Sequence, residues 1–326
     1  MPTPSRPLIV RLRNWVGDVT LGLPTLQRLA DAGHDLHLLG KGWAQDLLAG
    51  HGWPVTTLPK TVGERVRLLR RLRSEALAAD PAFDRRLNAV CFPYSFSSAL
   101  EFRLAGLRAI GHAYEGRSLL LGRSVPRPHG LHELQVYWRL GSALLGHDAP
   151  APSAIGLHTA PEHRDQARAL RERHAVAPGY IVICPFAGGT YAGADKTWPG
   201  FADFAAHRLP AFGRTVLVCP GPGEEAEARE HFASATLLCG VGLGAYAALL
   251  EDAALMISND TGPGHLAAAV GTPLLSVLGP TEPAQWGAWG PSVHTLKRWP
   301  GWPTGDEVAA AAARLLATTL STPVLR

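Results

Sequence analysis

LMISNDTGPGHLAAAVGTPLLSVLGP, from Leu255 to Pro280, is the stretch on which the fold turns. Leu255 to Ser258 is a short apolar run that reads as a buried strand. A polar turn follows, Asn259-Asp260-Thr261-Gly262-Pro263-Gly264-His265, and then Leu266 to Val270 has the look of a short helix. Gly271-Thr272-Pro273 stops that helix, and Leu274 to Leu278 makes a second buried strand. A strand, turn, helix and strand in this order belong to an open parallel sheet. There, ligands gather at the carboxyl ends of strands, where helix starts offer unpaired N–H groups and partial positive charge. Gly262 and Gly264 would let a diphosphate approach the backbone, with Asp260, Thr261 and His265 around the same opening. A well-capped helix start with no ligand fits the same residues, so this unit alone leaves function open.

The pattern extends on the amino-terminal side of the stretch. Tyr180 to Cys184 reads as a strand, and Pro185 to Thr190 as a small-residue loop suited to phosphate. After Asp195-Lys196-Thr197-Trp198-Pro199, the proline starts a helix over Gly200 to Arg208. Thr215 to Cys219 is a strand leading into Gly221-Pro222-Gly223-Glu224-Glu225 and an acidic helix. Thr236 to Cys239 is a strand and Leu243 to Leu250 a helix, while Asp306 to Leu320 closes the chain as an Ala-rich helix.

The first half repeats the theme. Leu8 to Leu12 is a buried strand, followed by Arg13-Asn14-Trp15-Val16-Gly17-Asp18, a helix over Val19 to Ala30, a strand over Asp35 to Leu39 and a helix over Trp43 to Leu48. Asp18 falls where strand hands over to helix, and taken alone it reads as an acid favoured by the helix dipole. Thr61 to Ala79 is the most charged helix: Leu68, Leu69, Leu72 and Ala76 share one face, and Arg67, Arg70 and Arg71 another, flanked by Arg65 and Arg73. Such a stripe is either a solvated face or a surface for phosphates and carboxylates, which guanidinium groups suit. No RNA- or DNA-binding motif accompanies it, so no nucleic-acid partner is expected. Leu87 to Phe92 is a strand, Ser97 to Ala105 a helix, Ala109 to His112 an edge strand, Arg117 to Gly130 a mobile loop and His132 to Leu145 a helix. Gly146 to Ser153 is the linker candidate, and Pro161 to His174 a charged helix beyond it. Two α/β domains, 1–157 and 158–326, with a site in the cleft between them, are the expectation.

Composition agrees. At 326 residues, two domains of about 150 residues each are expected. A hydrophobic content of 46% with 18% charged residues describes a soluble chain with ample core, and the net charge of +4 is mild. Cys91, Cys184, Cys219 and Cys239 all fall in or at the ends of expected strands without metal or redox spacing, so they read as core thiols of a cytoplasmic protein. The first residues lack a signal-peptide run, and no segment reaches transmembrane length.

With these residues laid out, the chain resembles glycosyltransferase family 9, the bacterial lipopolysaccharide heptosyltransferases and their relatives. Ile9-Val10-Arg11-Leu12 with Gly17-Asp18-Val19 and Pro24-Thr25-Leu26 is similar to the family's RLSSLGDV…LPAL opening. Lys196-Thr197-Trp198-Pro199 is similar to its K-R-W-P signature, and Gly221 to Glu225 to its acidic turn at a strand end. Asn259 to His265, continuing through Ala267-Ala268-Ala269 to Gly279-Pro280-Thr281, is similar to its ND[ST]GxxH block. The resemblance implies an α/β GT-B architecture, two Rossmann-like domains with parallel sheets facing across a cleft. It assigns the acceptor to the first domain and a nucleotide sugar, most often ADP-heptose, to the second. It also implies an inverting transfer without metal and no cofactor beyond the substrate nucleotide sugar. Asp18 matches the family's base, which overrides its reading as a mere helix-start acid. Lys196, Thr190, Thr261, Gly262 and Gly264 would meet the charge of the departing diphosphate. Asp260 would hold sugar hydroxyls, His265 would support the loop or the diphosphate, and Glu225, with Glu224 beside it, would contact the nucleoside. Arg67, Arg70 and Arg71 would face the phosphates and acidic sugars of a lipopolysaccharide or related glycan acceptor. Peripheral contact with the inner face of the inner membrane is a further implication.

The chain departs from the family at Thr197, at Pro263-Gly264 and at Arg13-Asn14-Trp15, where Trp15 would narrow or reshape the acceptor pocket. These departures leave the identity of sugar, base and acceptor open. The competing readings are another GT-B enzyme, such as a sugar-nucleotide epimerase, and a catalytically silent nucleotide-sugar-binding protein. Keeping Asp18, Lys196 and Asp260 together argues against the silent binder, which has no need of a base.

Overall fold

The computed structural model describes residues 6–321, and the chain divides after Pro152 into two compact units. The first is built from β1 (Pro7–Arg11), α1 (Val16–Asp31), β2 (Asp35–Gly40), α2 (Trp43–Leu47), β3 (Val55–Thr57) and α3 (Val62–Ala79). It continues with β4 (Ala89–Cys91), α4 (Phe96–Leu104), β5 (Ala109–His112), β6 (Arg123–Val125) and α5 (Glu133–Leu145). Its six strands are all parallel, in the order β3-β2-β1-β4-β5-β6. A parallel strand is covered by helices on both faces, which is why its residues run apolar without alternation. Leu8, Ile9 and Val10 of β1 are buried accordingly. The apolar stripe of α3 (Leu68, Leu69, Leu72 and Ala76) packs with Ile9, Phe83 and Phe102 in the core. Thr61 and Glu64 close a reciprocal capping box at its start, which fixes where the helix begins.

Two expectations for this unit fail. Ala109 to His112 is not an edge strand, because β6 pairs beyond it. The edge lies within the stretch expected to be a mobile loop, and the reason is Arg117. Its guanidinium is fully buried and donates to the carbonyls of His112 (2.9 Å), Ser95 (3.2 Å) and Pro93, so one side chain staples the segment to the end of β5 and to the loop after β4.

The second unit contains α6 (Pro161–Arg173), β7 (Ile181–Cys184), β8 (Thr190–Tyr191), β9 (Ala194–Asp195), α7 (Phe201–His207), β10 (Val216–Val218) and α8 (Glu225–His231). After these come β11 (Thr236–Leu237), α9 (Leu243–Glu251), β12 (Leu255–Ser258), α10 (Gly262–Val270), β13 (Leu274–Leu278), α11 (Pro283–Trp286), β14 (Val293–Lys297) and α12 (Gly305–Ser321). The main sheet is parallel, in the order β11-β10-β7-β12-β13-β14, and β8 and β9 form a small antiparallel hairpin beside it. Counted from each unit's first strand, both sheets run 3-2-1-4-5-6. Ile181, Ile183, Leu255, Ile257, Phe204 and Trp198 anchor the second core. The Leu157 amide donates to the Ala269 carbonyl at 3.0 Å within this unit.

Cys91, Cys184 and Cys219 are buried thiols, but Cys239, beyond the end of β11, is exposed. Burial pushes the Cys184 thiol up to about 12. Among the described residues no helix is long and apolar enough to cross a membrane.

Candidate functional site

In a 3-2-1-4-5-6 sheet the chain leaves the first strand toward one side and later returns to build the other. The carboxyl ends of strands one and four therefore diverge and leave a crevice. In the second unit that crevice opens between β7 and β12, and the residues after both strands fill it. Asn259, buried, joins the two: its amide donates to the Pro185 carbonyl at 2.6 Å and accepts from the Trp198 amide at 2.9 Å. Trp198 is itself packed among Phe201 and Phe204, and its indole N–H donates to the Pro303 carbonyl at 2.9 Å. The loop carrying Lys196 is thus fixed at Trp198.

Lys196 Nζ donates to the Asp260 carbonyl at 3.1 Å and stands 3.4 Å from Asp260 Oδ2. The Thr281 hydroxyl donates to Oδ2 at 3.0 Å, and His265 Nε2 is 3.8 Å from Oδ1. Burial pushes the Asp260 carboxyl up, but His265, Lys196 and Thr281 outweigh it and hold the group below its ordinary range. The glycine turn expected before the helix is in fact its first turn, since α10 begins at Gly262 with Pro263 in the opening positions. No side chain caps this start, and Thr261 adopts extended backbone there. Gly264 has a packing reason: a Cβ there would stand 2.7 Å from Ser258 Oγ. Ser258 Oγ and His265 Nδ1 are buried with no hydrogen-bond partner among the described residues.

Three further expected residues lie in other parts of this unit. Glu224 accepts from the Gly221 amide at 2.8 Å and Glu225 from the Gly223 amide at 2.8 Å, so both carboxylates brace the turn after β10. Thr190 is exposed in the β8–β9 hairpin, where it pairs with Asp195.

In the first unit the corresponding crevice lies between β1 and β4. Asp18 sits in the first turn of α1, whose preceding residue, Trp15, is 67% exposed. The Tyr137 hydroxyl, reaching from α5, donates to Asp18 Oδ1 at 3.0 Å, and Arg13 Nε is 3.6 Å from Oδ2. The guanidinium of Arg13 lies over the Tyr94 ring at 4.6 Å, as does that of Arg127. Tyr94 donates to Glu133, which also pairs with Arg127 at 3.2 Å. Burial and the Glu133 carboxylate raise the Tyr94 phenol far above its ordinary value. Tyr94, Arg127, Glu133 and Tyr137 were missed from the sequence. Tyr137 and Glu133 lie on buried positions of a helix, where spacing reads only as core.

The arginines of α3 divide. Arg65 pairs with the buried Glu101 at 3.0 Å, which also holds Arg11 at 2.6 Å, and Arg73 pairs with Asp84; these are fixed parts of the fold. Arg67, Arg70 and Arg71 are exposed; Arg70 donates to the Leu104 carbonyl at 3.1 Å, and Arg71 faces Glu75 at 3.6 Å. A groove of about 590 Å³ lies along α5 between β6 and the chain after the helix. Its Trp138 indole and Arg123 already donate to the Ala149 and Ala143 carbonyls, and neither Asp18 nor Tyr137 lines it. Among the described residues no group of three His, Cys, Asp or Glu side chains gathers to hold a metal ion.

The profile of glycosyltransferase family 9 (heptosyltransferase) matches residues 65–306. The lipopolysaccharide heptosyltransferase 1 of Pseudomonas aeruginosa is 33% identical over 178 residues, 53% of this chain and 47% of that protein. Lipopolysaccharide heptosyltransferase 3 of Escherichia coli is 33% identical over 146 residues, 40% of this chain and 41% of its own length. The matched regions thus span under half of these relatives. Among solved structures, the E. coli ADP-heptose lipopolysaccharide heptosyltransferase II superposes with a TM-score of 0.78 at 20% identity, over 96% of this chain and 99% of that one. A family 9 glycosyltransferase of Veillonella parvula gives 0.79 at 18% identity, over 96% and 97%. E. coli heptosyltransferase WaaC with ADP gives 0.68 at 21% identity, over 96% and 99%. These likenesses show the fold, two Rossmann-like α/β units of the GT-B class. The profile covers most of the chain, including Lys196, Glu225 and the whole Asn259–His265 block, and on that ground the chain belongs to glycosyltransferase family 9.

Proposed function

We propose that this protein is an inverting glycosyltransferase that moves a sugar, most simply heptose from ADP-heptose, onto a hydroxyl of a lipopolysaccharide core or related glycan. The observation that carries the reading is the uncapped start of α10 with Lys196 and Asp260 joined beside it. Backbone N–H groups and an ammonium at one point form a receptor for a diphosphate. The reading divides the work: the second unit holds the nucleotide sugar and the first the acceptor.

The chemistry follows from the two carboxylates. Asp18 takes the proton of the acceptor hydroxyl as that oxygen bonds to the anomeric carbon, while the bond from that carbon to the diphosphate oxygen breaks. Lys196 and the first N–H groups of α10 meet the charge left on the nucleoside diphosphate, with no metal required by the scheme. Asp260, already held ionised, accepts hydrogen bonds from sugar hydroxyls. Glu225 opens α8 just beyond the turn that follows β10, where a ribose would rest, and Thr190 and His265 flank the phosphates. The exposed Arg67, Arg70 and Arg71 suit an anionic acceptor. Support for adenine comes from WaaC, which was solved with ADP and with ADP-2-deoxy-2-fluoro heptose. An acceptor embedded in a membrane would bring the protein to the inner face of the inner membrane.

Thermal unfolding with ADP, UDP, GDP and dTDP, on wild type and Lys196→Ala, tests this. A ligand at a hundredfold its Kd adds about 2.7 kcal/mol of stability. A shift with ADP alone, lost in the variant, is the expected result. A preference for another nucleotide would discard heptose, and no shift with any of the four would overturn the donor-site assignment.

A further inference from the structure

The two oxygens of Asp18 stand in different surroundings. Oδ1 accepts the Tyr137 hydroxyl at 3.0 Å; among the described residues Oδ2 has only Arg13 Nε, at 3.6 Å, too long for a hydrogen bond. Tyr137 is fully buried, and its ring packs edge-on against Phe92 with centroids 5.1 Å apart. Its hydroxyl makes one hydrogen bond among the described residues, the one to Asp18. Burial, followed by the negative charges of Asp18 and Glu133, raises the phenol well above its ordinary range, so it remains a donor throughout the working pH. A carboxylate in the first turn of a helix otherwise rotates readily about its last torsion, whose energy profile is broad.

We propose that Tyr137 is a positioning residue for transfer: its hydroxyl pins Oδ1 of Asp18, leaving Oδ2 as the oxygen that receives the acceptor's proton. The inference rests on the reading of Asp18 as the base. In the reacting complex the acceptor hydroxyl gives its proton to Oδ2 as its oxygen bonds to the anomeric carbon and the diphosphate departs. Tyr137 keeps its own proton and its bond to Oδ1 from start to finish. A neutral donor suits this place. It fixes the geometry of the carboxylate while favouring the ionised form less than a cation in contact would. The aim of Oδ2 is then set by α5, through a residue more than a hundred positions away from Asp18 in sequence.

The test is Tyr137→Phe in the full chain, assayed with ADP-heptose and heptose-free lipopolysaccharide. Removing the hydroxyl keeps the ring and its packing. The expected result is a kcat lowered ten- to a hundredfold and an acceptor KM changed less than twofold. Phe92→Leu disturbs the same packing and leaves the hydroxyl in place, and it is expected to keep kcat within about twofold of wild type. An equal loss of kcat in both variants, or a loss in Tyr137→Phe that appears in the acceptor KM and not in kcat, would overturn the proposal and leave Tyr137 a packing residue. Asp18→Asn separates this from the underlying reading: activity retained there sinks the base itself. An inactive Asp18→Asn beside a fully active Tyr137→Phe sinks only the positioning role.

Discussion

The two units share one strand order, and each places a carboxylate near its own crevice, yet the two carboxylates are treated in opposite ways. Asp260 is enclosed by an ammonium, a hydroxyl and an imidazole, and is held ionised. Asp18 has one neutral donor on one oxygen and a guanidinium at a distance from the other. A carboxylate surrounded by cations is a good acceptor of hydrogen bonds and a poor acceptor of protons. Topology therefore sets where each group stands, and its neighbours set what it can do. The base and the binder of one reaction can come from two copies of a single sheet plan.

The sharpest way to break this comparison is to neutralise each carboxylate in turn. Asp18→Asn is expected to lower kcat by about 10³-fold, within the range general-base catalysis supplies, while nucleotide affinity stays within about twofold; a variant with near-wild-type turnover would end the contrast. Asn259→Ala comes next in size. It strands the Trp198 amide and the Pro185 carbonyl, both buried, and is expected to cost about 3 kcal/mol in urea unfolding. A cost below about 0.5 kcal/mol would show that the crevice of the second unit does not depend on that bridge.

Acid sharpens the comparison from the other side. The folded Asp260 titrates below its ordinary 3.8, so its contribution to stability is complete above that pH and is lost as pH falls through the lower folded value. Asp260→Asn should flatten the fall in stability below about pH 4; identical acid unfolding curves would contradict the low titration. The smallest effect is expected on α3. Reversing Arg70 and Arg71 to Glu should raise the acceptor KM several-fold and leave nucleotide binding alone. An unchanged KM would return that face to ordinary solvated surface.

How much of this was legible depends on what each residue faces. Buried parallel strands are continuous apolar runs, so Leu255–Ser258, Leu274–Leu278 and Ile181–Cys184 could be read within a residue of their limits. β14, Val-His-Thr-Leu-Lys, could not: it is a half-exposed edge strand without such a run. The turn of Gly262 to His265 was read as loop because its glycines suggest irregular backbone. One of them is there so that α10 can approach Ser258. Asp260 stood out because it sits in a polar turn at a strand end, whereas Asp18 alone read as a helix-start acid and took its role, as Lys196 did, from the family resemblance. Tyr137 gave no such signal, since with Leu134 and Leu140 it falls on the buried side of α5 and is indistinguishable there from a core aromatic.

Trp198 has a calorimetric consequence. Its ring is locked into the core, its amide into Asn259 and its indole N–H into the Pro303 carbonyl, so Lys196 hangs from backbone that is in place before any ligand arrives. A diphosphate meeting this lysine has only a side chain to settle. Its binding heat should vary with temperature no more than the apolar surface of the nucleoside itself demands, because no segment has to fold around it.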